Sequence, residues 1–426
     1  MKRRIVISVL TMMLISSLAA CKSTSVSNTS ASIETSVEAE TTAASDTETT
    51  SGEYTALTVK TDWEEAATVT FSDSGISIEG EGASDEDGVL YITAGGAYTL
   101  SGESQDCSIV IDTEDNVKLI LNGVTLTSTN GPVIYGAQVK NLYIELADGS
   151  ENTLTDSSTY ATDSSTGEEI GKGVISSEDD LIVLGEGILN IVANHQHGLV
   201  SDDKLYVEAG NINITSNGTD GIHANDLVCI DGGEINITSV SDLIESEDML
   251  VINDGTITGT SEDEGIEAKG SLYINGGTIE ISTADDSLNA GTYIEINDGT
   301  ITLTSTKGDA IDSNGNYDGC ITINGGIVNA TGADVPEGAI DADQASAIIN
   351  GGTVTASGGT NSPVIENGGE VNITGNTNAG MGGGMGGGRG MRGMQDGQMP
   401  EDFSGEKPED FSENAPQMNG LEKNQN

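Results

Sequence analysis

In the central part of the chain an acid recurs just ahead of a small residue and an Ile or Leu. Successive copies place Lys172, His197, Asp220, Asp242, Glu264, Asp286 and Asp309 at that position, and three residues later come His223, Glu245, Glu267, Asn289 and Asp312. If each copy lies on the one before it, two parallel rows of oxygen ligands form on one face. Neighbouring carboxylates then approach to about 5 Å, which costs roughly 3 kcal/mol per pair at an effective dielectric of 20 and under ~1 kcal/mol in water. Hard divalent cations relieve that repulsion. Ca²⁺ fits above all, because it accepts six to eight carboxylate, amide and carbonyl oxygens in flexible geometry. The expected ligands are Asp220, Asp242, Glu245, Glu264, Glu267, Asp286, Asn289, Asp309 and Asp312, with Asp263 and Asp285 beside the row completing the shells. The plain alternative is a solvated face in a very acidic protein. Zn²⁺ fits less well, since His195, His197 and His223 are the only imidazoles and no Cys falls in register with them.

The elements that would align these acids are written around glycine. Aligned on the Gly that closes each "DGG", "NDG" or "NGG", the marks fall at Gly187, Gly210, Gly233, Gly255, Gly277, Gly299, Gly326 and Gly352, at intervals of 23, 23, 22, 22, 22, 27 and 26. Two residues after the mark stand Ile212, Ile235, Ile257, Ile279, Ile301, Val328 and Val354; three before it stand Val207, Ile230, Ile252, Ile274, Ile296, Ile323 and Ile349. Each unit therefore carries two short alternating β segments around a Gly turn, and "GI" or "SL" opens a third. One such unit cannot bury its apolar residues alone, but stacked units can. The pattern predicts an all-β fold, a right-handed single-stranded parallel β-helix with three faces and about 22 residues per coil. A leucine-rich repeat is disfavoured by the missing Leu consensus and the lack of room for a helix.

Just before the Gly pair come Glu208, Asp231, Asn253, Asn275, Asn297, Asn324, Asn350 and Asn367. Asn and Asp tolerate the left-handed conformation such a corner needs, and stacked amides can hydrogen-bond along the axis. Hydroxyls form a further ladder: Thr215, Thr238, Thr260, Ser282, Thr304, Thr331, Ser357 and Thr374. Weaker copies extend the solenoid upstream to about Val89, 155–172 reads as an insertion loop, and 53–88, with the lone Trp63, reads as an N-terminal cap over exposed strand edges.

The ends differ in kind. Residues 1–21 run from Lys2, Arg3 and Arg4 through an apolar stretch to Leu18-Ala19-Ala20-Cys21, a secretion signal with a lipobox-like close. Lipidation of Cys21 would tether the protein to the extracellular face of the cell membrane, the anchor being its only membrane contact. Residues 22–52 read as a Ser/Thr-rich linker, 53–375 as the β-helix domain, and 376–426 as a Gly/Met-rich disordered tail. With 69 acidic against 15 basic residues and a net charge of −54, nucleic acid and anionic lipid are poor partners. The chain reads as a monomer.

Cys229 and Cys320 lie four coils apart, roughly 19 Å, where a disulfide needs less than about 7 Å; no disulfide is expected among Cys107, Cys229 and Cys320. Two outer stripes are candidate glycan surfaces. Tyr206, Tyr273 and Tyr293 would stack on sugar rings, unless the cap or another chain covers them. Thr256, Thr258, Thr278, Thr300, Thr302, Thr353 and Thr355 would form a flat hydroxylated sheet, although Glu280 and Asn329 interrupt it and weaken an ice-binding reading.

The stretches "YTLSG" (98–102), "LILNGVTLTS" (119–128) and "ADGSENTLTD" (147–156), together with the coil rows, resemble bacterial cell-surface carbohydrate-binding domain-containing proteins, which are pectate-lyase-like parallel β-helices. The resemblance spans about residues 55–375. It implies calcium-bearing solenoids that bind plant cell-wall polysaccharides such as cellulose and polygalacturonate without catalysis. A different class remains open: a pectate-lyase-like enzyme in which Ca²⁺ acidifies a proton and Lys269 or Lys307 removes it. The isolated lysines, with no Arg to grip a uronate, favour binding. Adhesion without a glycan is a further alternative.

Overall fold

The computed structural model describes residues 57–375 apart from 73, 335 and 344. The signal and lipidation readings at 1–21, the linker and the tail at 376–426 therefore lie outside the described residues. Within them every regular element is a strand. The strands wind into a parallel β-solenoid of about 12 turns with ~23 residues per coil.

A single coil shows how sequence becomes shape. Leu227–Ile230, Glu234–Ser239 and Ile244–Ser246 form its three strands, and Met249–Ile252 begins the next coil directly above the first. The second strand alternates exposed and buried along its length, so Ile235 and Ile237 point inward while Glu234 and Asn236 point out. Pairing is in register from coil to coil. Ile212, Ile235, Ile257, Ile279, Ile301, Val328 and Val354 face one another in one column, and Val207, Ile230, Ile252, Ile274, Ile296, Ile323 and Ile349 in another. Each buried Ile or Val contributes about 1.5–3 kcal/mol relative to exposure. The column also fixes register, because a one-residue slip would turn every Ile outward.

The first strand of the coil departs from simple alternation. Leu227–Ile230 and Met249–Ile252 are buried on both faces. Their outward residues join a second apolar cluster of Tyr143, Ile182, Tyr206, Cys229, Val251, Tyr273 and Tyr293, against which Leu57, Val59, Trp63 and Tyr317 pack. Trp63 meets Tyr143 edge-on, with ring centroids 5.0 Å apart.

At the corners the expected role of asparagine is corrected. From Gly210 to Gly352 the left-handed conformation belongs to the aligned glycine itself, for example Gly277 at φ 86°, while Asp87 and Asp343 are the non-glycine residues with positive φ among those described. A Cβ on Gly277 would sit 2.9 Å from Gly255 O in the coil below. The amides instead form the axial ladder: Asn275 Nδ2 donates to Asn253 Oδ1 at 2.7 Å, Asn297 to Asn275 at 2.8 Å, Asn324 to Asn297 at 2.8 Å and Asn350 to Asn324 at 2.9 Å. The hydroxyl column Thr215, Thr238, Thr260, Ser282 and Thr304 is likewise in register.

The N-terminal end is closed by antiparallel pairing. Glu65–Ser72 pairs parallel with Gly96–Ser104 but antiparallel with Gly75–Gly80, and Ala83–Glu86 folds back on Val89–Ile92. These reversals cover the sheet edge that an open coil would expose. Cys107 and Cys320 are buried thiols, and Cys229 Sγ lies 3.6 Å from Asp231 Oδ1.

Replacing Asn297 by Ala removes one donor and one acceptor from the middle of the amide ladder and leaves its neighbours with unmet groups. A loss of about 1–3 kcal/mol is expected, read as a lower urea midpoint by circular dichroism, whereas Thr302→Ala on the outer sheet should leave the midpoint within error.

Candidate metal centre

In the five coils that contain Ile222–Ala224, Ile244–Ser246, Ile266–Ala268, Leu288–Ala290 and Ile311–Ser313, the third strand is only three residues long and presents its middle side chain outward. His223, Glu245, Glu267, Asn289 and Asp312 occupy that position and pair one on the next as Cα partners. The column continues to Asp341, which bridges Asp312. Asp341 escaped the sequence reading because the coils there are 27 and 26 residues long. Its signal was nevertheless present, since Ala339-Ile340-Asp341 repeats Ala310-Ile311-Asp312.

At the corner leading into this strand stands the second acid row, and here the structure adds a feature the sequence did not reveal. Asp220 Oδ1 accepts the backbone N–H of Asp242 at 3.3 Å, Asp242 Oδ1 that of Glu264 at 3.1 Å, Asp286 Oδ1 that of Asp309 at 2.6 Å, and Asp309 Oδ1 that of Gly338 at 2.7 Å. Each aspartate thus uses one oxygen to tie its coil to the next. The other oxygen is left for charge chemistry.

Charge along the column is unevenly compensated. At the N-terminal end His223 Nδ1 lies 3.4 Å from Asp220 Oδ2 and 3.1 Å from Glu245 Oε2, and His197 Nδ1 lies 3.0 Å from Asp220 Oδ2. Lys269 Nζ then spans Glu245 at 3.0 Å and Glu267 at 2.5 Å. Burial disfavours the His223 cation, but Asp220 and Glu245 outweigh it and raise its pKa to about 9. Burial also opposes the charge on Asp220, yet hydrogen bonds from His197 and His223 hold its carboxyl well below the usual range.

Lys269 is the last cation paired with the column among the described residues. Asp242, Glu264 and Glu267 bring one oxygen each within 4.8 Å of one another, as do Asp263, Glu264 and Asp285. Burial, then the charges of Asp220 and Glu264, push Asp242 up to about 10, and burial raises Glu264 to about 7. Asp286, Asp309 and Asp312 form a second group with Asp341. Burial is the leading cause there too, with neighbouring acids adding to it, and their pKa values rise to about 6, 9 and 8. Oxygens bound to one Ca²⁺ at 2.3–2.6 Å lie at most about 5 Å apart, so the donor spacing at Asp242, Glu264 and Glu267 fits that ion. Asn289 contributes less than expected, since its Nδ2 faces Glu267 Oε1 at 3.4 Å as a donor.

Other sequence-predicted sites fare differently. Tyr206, Tyr273 and Tyr293 are 3%, 5% and 2% exposed, so they are not an open stacking platform. The apolar cluster around Trp63 and Tyr317 encloses this face, and Tyr293 Oη donates to Glu295 Oε2 at 2.8 Å. Lys269 is not poised as a base. Burial works against its charge, but Glu267 and Glu245 prevail and raise its pKa. Lys307 is exposed beside the row. The outer sheet of Thr256, Thr278 and Thr300, with Thr258, Glu280, Thr302 and Asn329 alongside, is the broad polar face that stays open.

Comparison with known proteins agrees with this architecture. The family model for carbohydrate-binding domain-containing proteins matches residues 86–287 and 246–387. A carbohydrate-binding domain-containing protein of Acetivibrio thermocellus is 35% identical over 121 residues, which is 28% of this chain and 42% of that protein. The match thus spans about two fifths of that relative's length. Among solved structures, a polysaccharide lyase-like protein from C. thermocellum, a gadolinium derivative, superposes with a TM-score of 0.52 at 29% identity, covering 54% of this chain and 96% of that one.

Raised carboxyl pKa values carry a definite sign. A group that holds its proton more tightly when folded adds stability below its unfolded pKa and loses it as pH rises through the folded value. Asp286, Glu264, Asp312, Asp309 and Asp242 all act this way, and so does His223. Asp220 has the opposite sign but acts only below the ordinary carboxylate range. With chelator present, the thermal midpoint should therefore fall steadily between about pH 5 and pH 9, followed by circular dichroism. A flat or rising profile contradicts the charge assignment of the column.

Proposed function

The chain belongs to the carbohydrate-binding domain-containing protein family, and we propose that it is a non-catalytic, calcium-dependent binder of plant cell-wall type polysaccharides. A lipid on Cys21 would hold it at the extracellular face of the membrane. The observation that carries the calcium reading is the in-register column Glu245, Glu267, Asn289, Asp312 and Asp341, flanked by Asp242, Glu264, Asp286 and Asp309, with cationic partners among the described residues only at its N-terminal end. Ca²⁺ bound there would offset the repulsion and leave coordination positions for ligand oxygens. That the similar solved chain is a gadolinium derivative supports the reading, because gadolinium is another hard, oxygen-seeking cation.

An acidic polysaccharide such as polygalacturonate is repelled by a protein of net charge −54. Ca²⁺ shared between protein and uronate carboxylates reverses that sign. A neutral glucan such as cellulose needs no metal, and the open Thr and Asn sheet offers it a flat run of hydroxyls and amides at the coil spacing. A lyase reading is less well supported. Lys269 is committed to two carboxylates, and Arg3, Arg4, Arg389 and Arg392, the arginines of the chain, all lie outside 57–375.

Retention of the full chain on polygalacturonate and on cellulose, with Ca²⁺ and with chelator, tests the proposal. Chelator should release the polygalacturonate-bound fraction and lower the melting temperature. Asp286→Asn with Asp309→Asn should weaken Ca²⁺-dependent retention at least ~10-fold, about 1.4 kcal/mol, and leave cellulose retention unchanged. Retention and melting that ignore chelator would end the calcium reading. Appearance of the ultraviolet absorbance of an unsaturated uronate would establish the lyase instead.

A further inference from the structure

The N-terminal end of the acid column is chemically unlike the rest, because it contains nitrogen. His197 and His223 sit on successive coils with ring centroids 4.5 Å apart and an interplanar angle of 28°. Their Nδ1 atoms converge on a single oxygen, Asp220 Oδ2, at 3.0 and 3.4 Å, and Glu245 Oε2 lies 3.1 Å from His223 Nδ1. The side chains of His197, Asp220, His223 and Glu245 are 14%, 4%, 11% and 12% exposed. Few orientations are therefore open to them.

These separations have a second meaning. In a tetrahedron of nitrogen and oxygen ligands about 2.0–2.2 Å from a first-row metal, the ligands stand roughly 3.3 Å from one another. Three of the six edges are approximated by the 3.0–3.4 Å contacts; His197, Asp220 and His223 bring one donor atom each within 4.8 Å of one another, and Glu245 adjoins them through His223. No Cys falls in register with these imidazoles, but two imidazoles with carboxylates form a donor set for Zn²⁺ without sulfur. Ca²⁺ is a poor fit here, since it selects oxygen ligands. Closing on a metal requires each ring to turn modestly about its Cβ–Cγ bond so that both Nδ1 lone pairs meet. His197 would also surrender its 3.1 Å contact with Thr219 Oγ1.

We propose that His197, Asp220, His223 and Glu245 form a mixed nitrogen and oxygen site for a divalent transition-metal ion of the Zn²⁺ class, separate from the all-oxygen column beyond it. The third imidazole, His195, takes no part: its Nε2 pairs with Glu169 Oε2 at 2.8 Å and its ring packs on Tyr160 at 4.6 Å. It is the natural control.

The experiment uses the full chain, stripped of metal and then held in excess Ca²⁺ so that the oxygen sites are occupied. Titration with Co²⁺ should give the strong visible absorption of four-coordinate Co²⁺, saturating at one ion per chain and bleached by Zn²⁺. His223→Gln and His197→Gln should each weaken Zn²⁺ binding at least ~10-fold, while His195→Gln leaves it unchanged and the Ca²⁺-induced rise in melting temperature persists in all three. The wild-type spectrum decides the matter even if a variant misfolds. Only the weak absorption of six-coordinate Co²⁺, suppression of binding by Ca²⁺, or Zn²⁺ affinity unaltered in both His197 and His223 variants overturns the proposal. Loss of the calcium response alone would not, so the two readings fail separately.

Discussion

In-register stacking makes every side chain meet its own kind. A residue in one coil has, directly above and below it, the residues at the same position of the adjacent coils, and the consequences depend only on chemistry. Ile on Ile buries area, as in the column from Ile212 to Val354. Asn on Asn closes a chain of amide bonds, since an amide both donates and accepts. Carboxylate on carboxylate repels. The same constraint that stabilises two columns therefore concentrates negative charge in a third.

The column from Asp220 to Asp341 answers this repulsion in three ways, graded along the axis. Aspartates at the corner give one oxygen to a backbone N–H of the following coil, which spreads part of their charge into the ladder. His223 and Lys269 insert cations between acids on successive coils. Beyond Lys269 no basic side chain pairs with Asp286, Asp309 or Asp312 among the described residues, and these carboxyls are raised instead, chiefly by burial. Protonation and ion binding are the two remaining ways to lower the energy of that stretch. They compete, so ion occupancy should rise with pH over the same range in which the ion-free column is destabilised.

Much of this was legible in the sequence because the solenoid converts one-dimensional period into three-dimensional neighbourhood. A constant step from Gly233 to Gly299 fixed which residues stack, and the Ile, Asn, Thr and acid columns follow without further information. What was not legible depends on features the period does not encode. The fate of Tyr206, Tyr273 and Tyr293 turned on packing over their outer face, with Leu57, Val59 and Trp63 reaching that cluster from far along the chain. Asp341 was hidden by the longer coils. The left-handed corner residue differs from the expectation because Asn and Gly both tolerate it; the positive φ falls on Gly277, where an added Cβ would meet Gly255 O at 2.9 Å.

The surroundings of Lys269 suit charge pairing better than base catalysis. A general base must be held near neutrality and singled out from its surroundings. Lys269, pinned between Glu245 and Glu267, is driven away from the deprotonated state rather than toward it. For a polymer the repetition of coils is an advantage. A polysaccharide offers its own repeat along one axis, and a face of equivalent groups about 4.8 Å apart can engage many residues of it weakly and in several registers. Affinity then grows with the number of coils occupied, and no single side chain has to be exceptional.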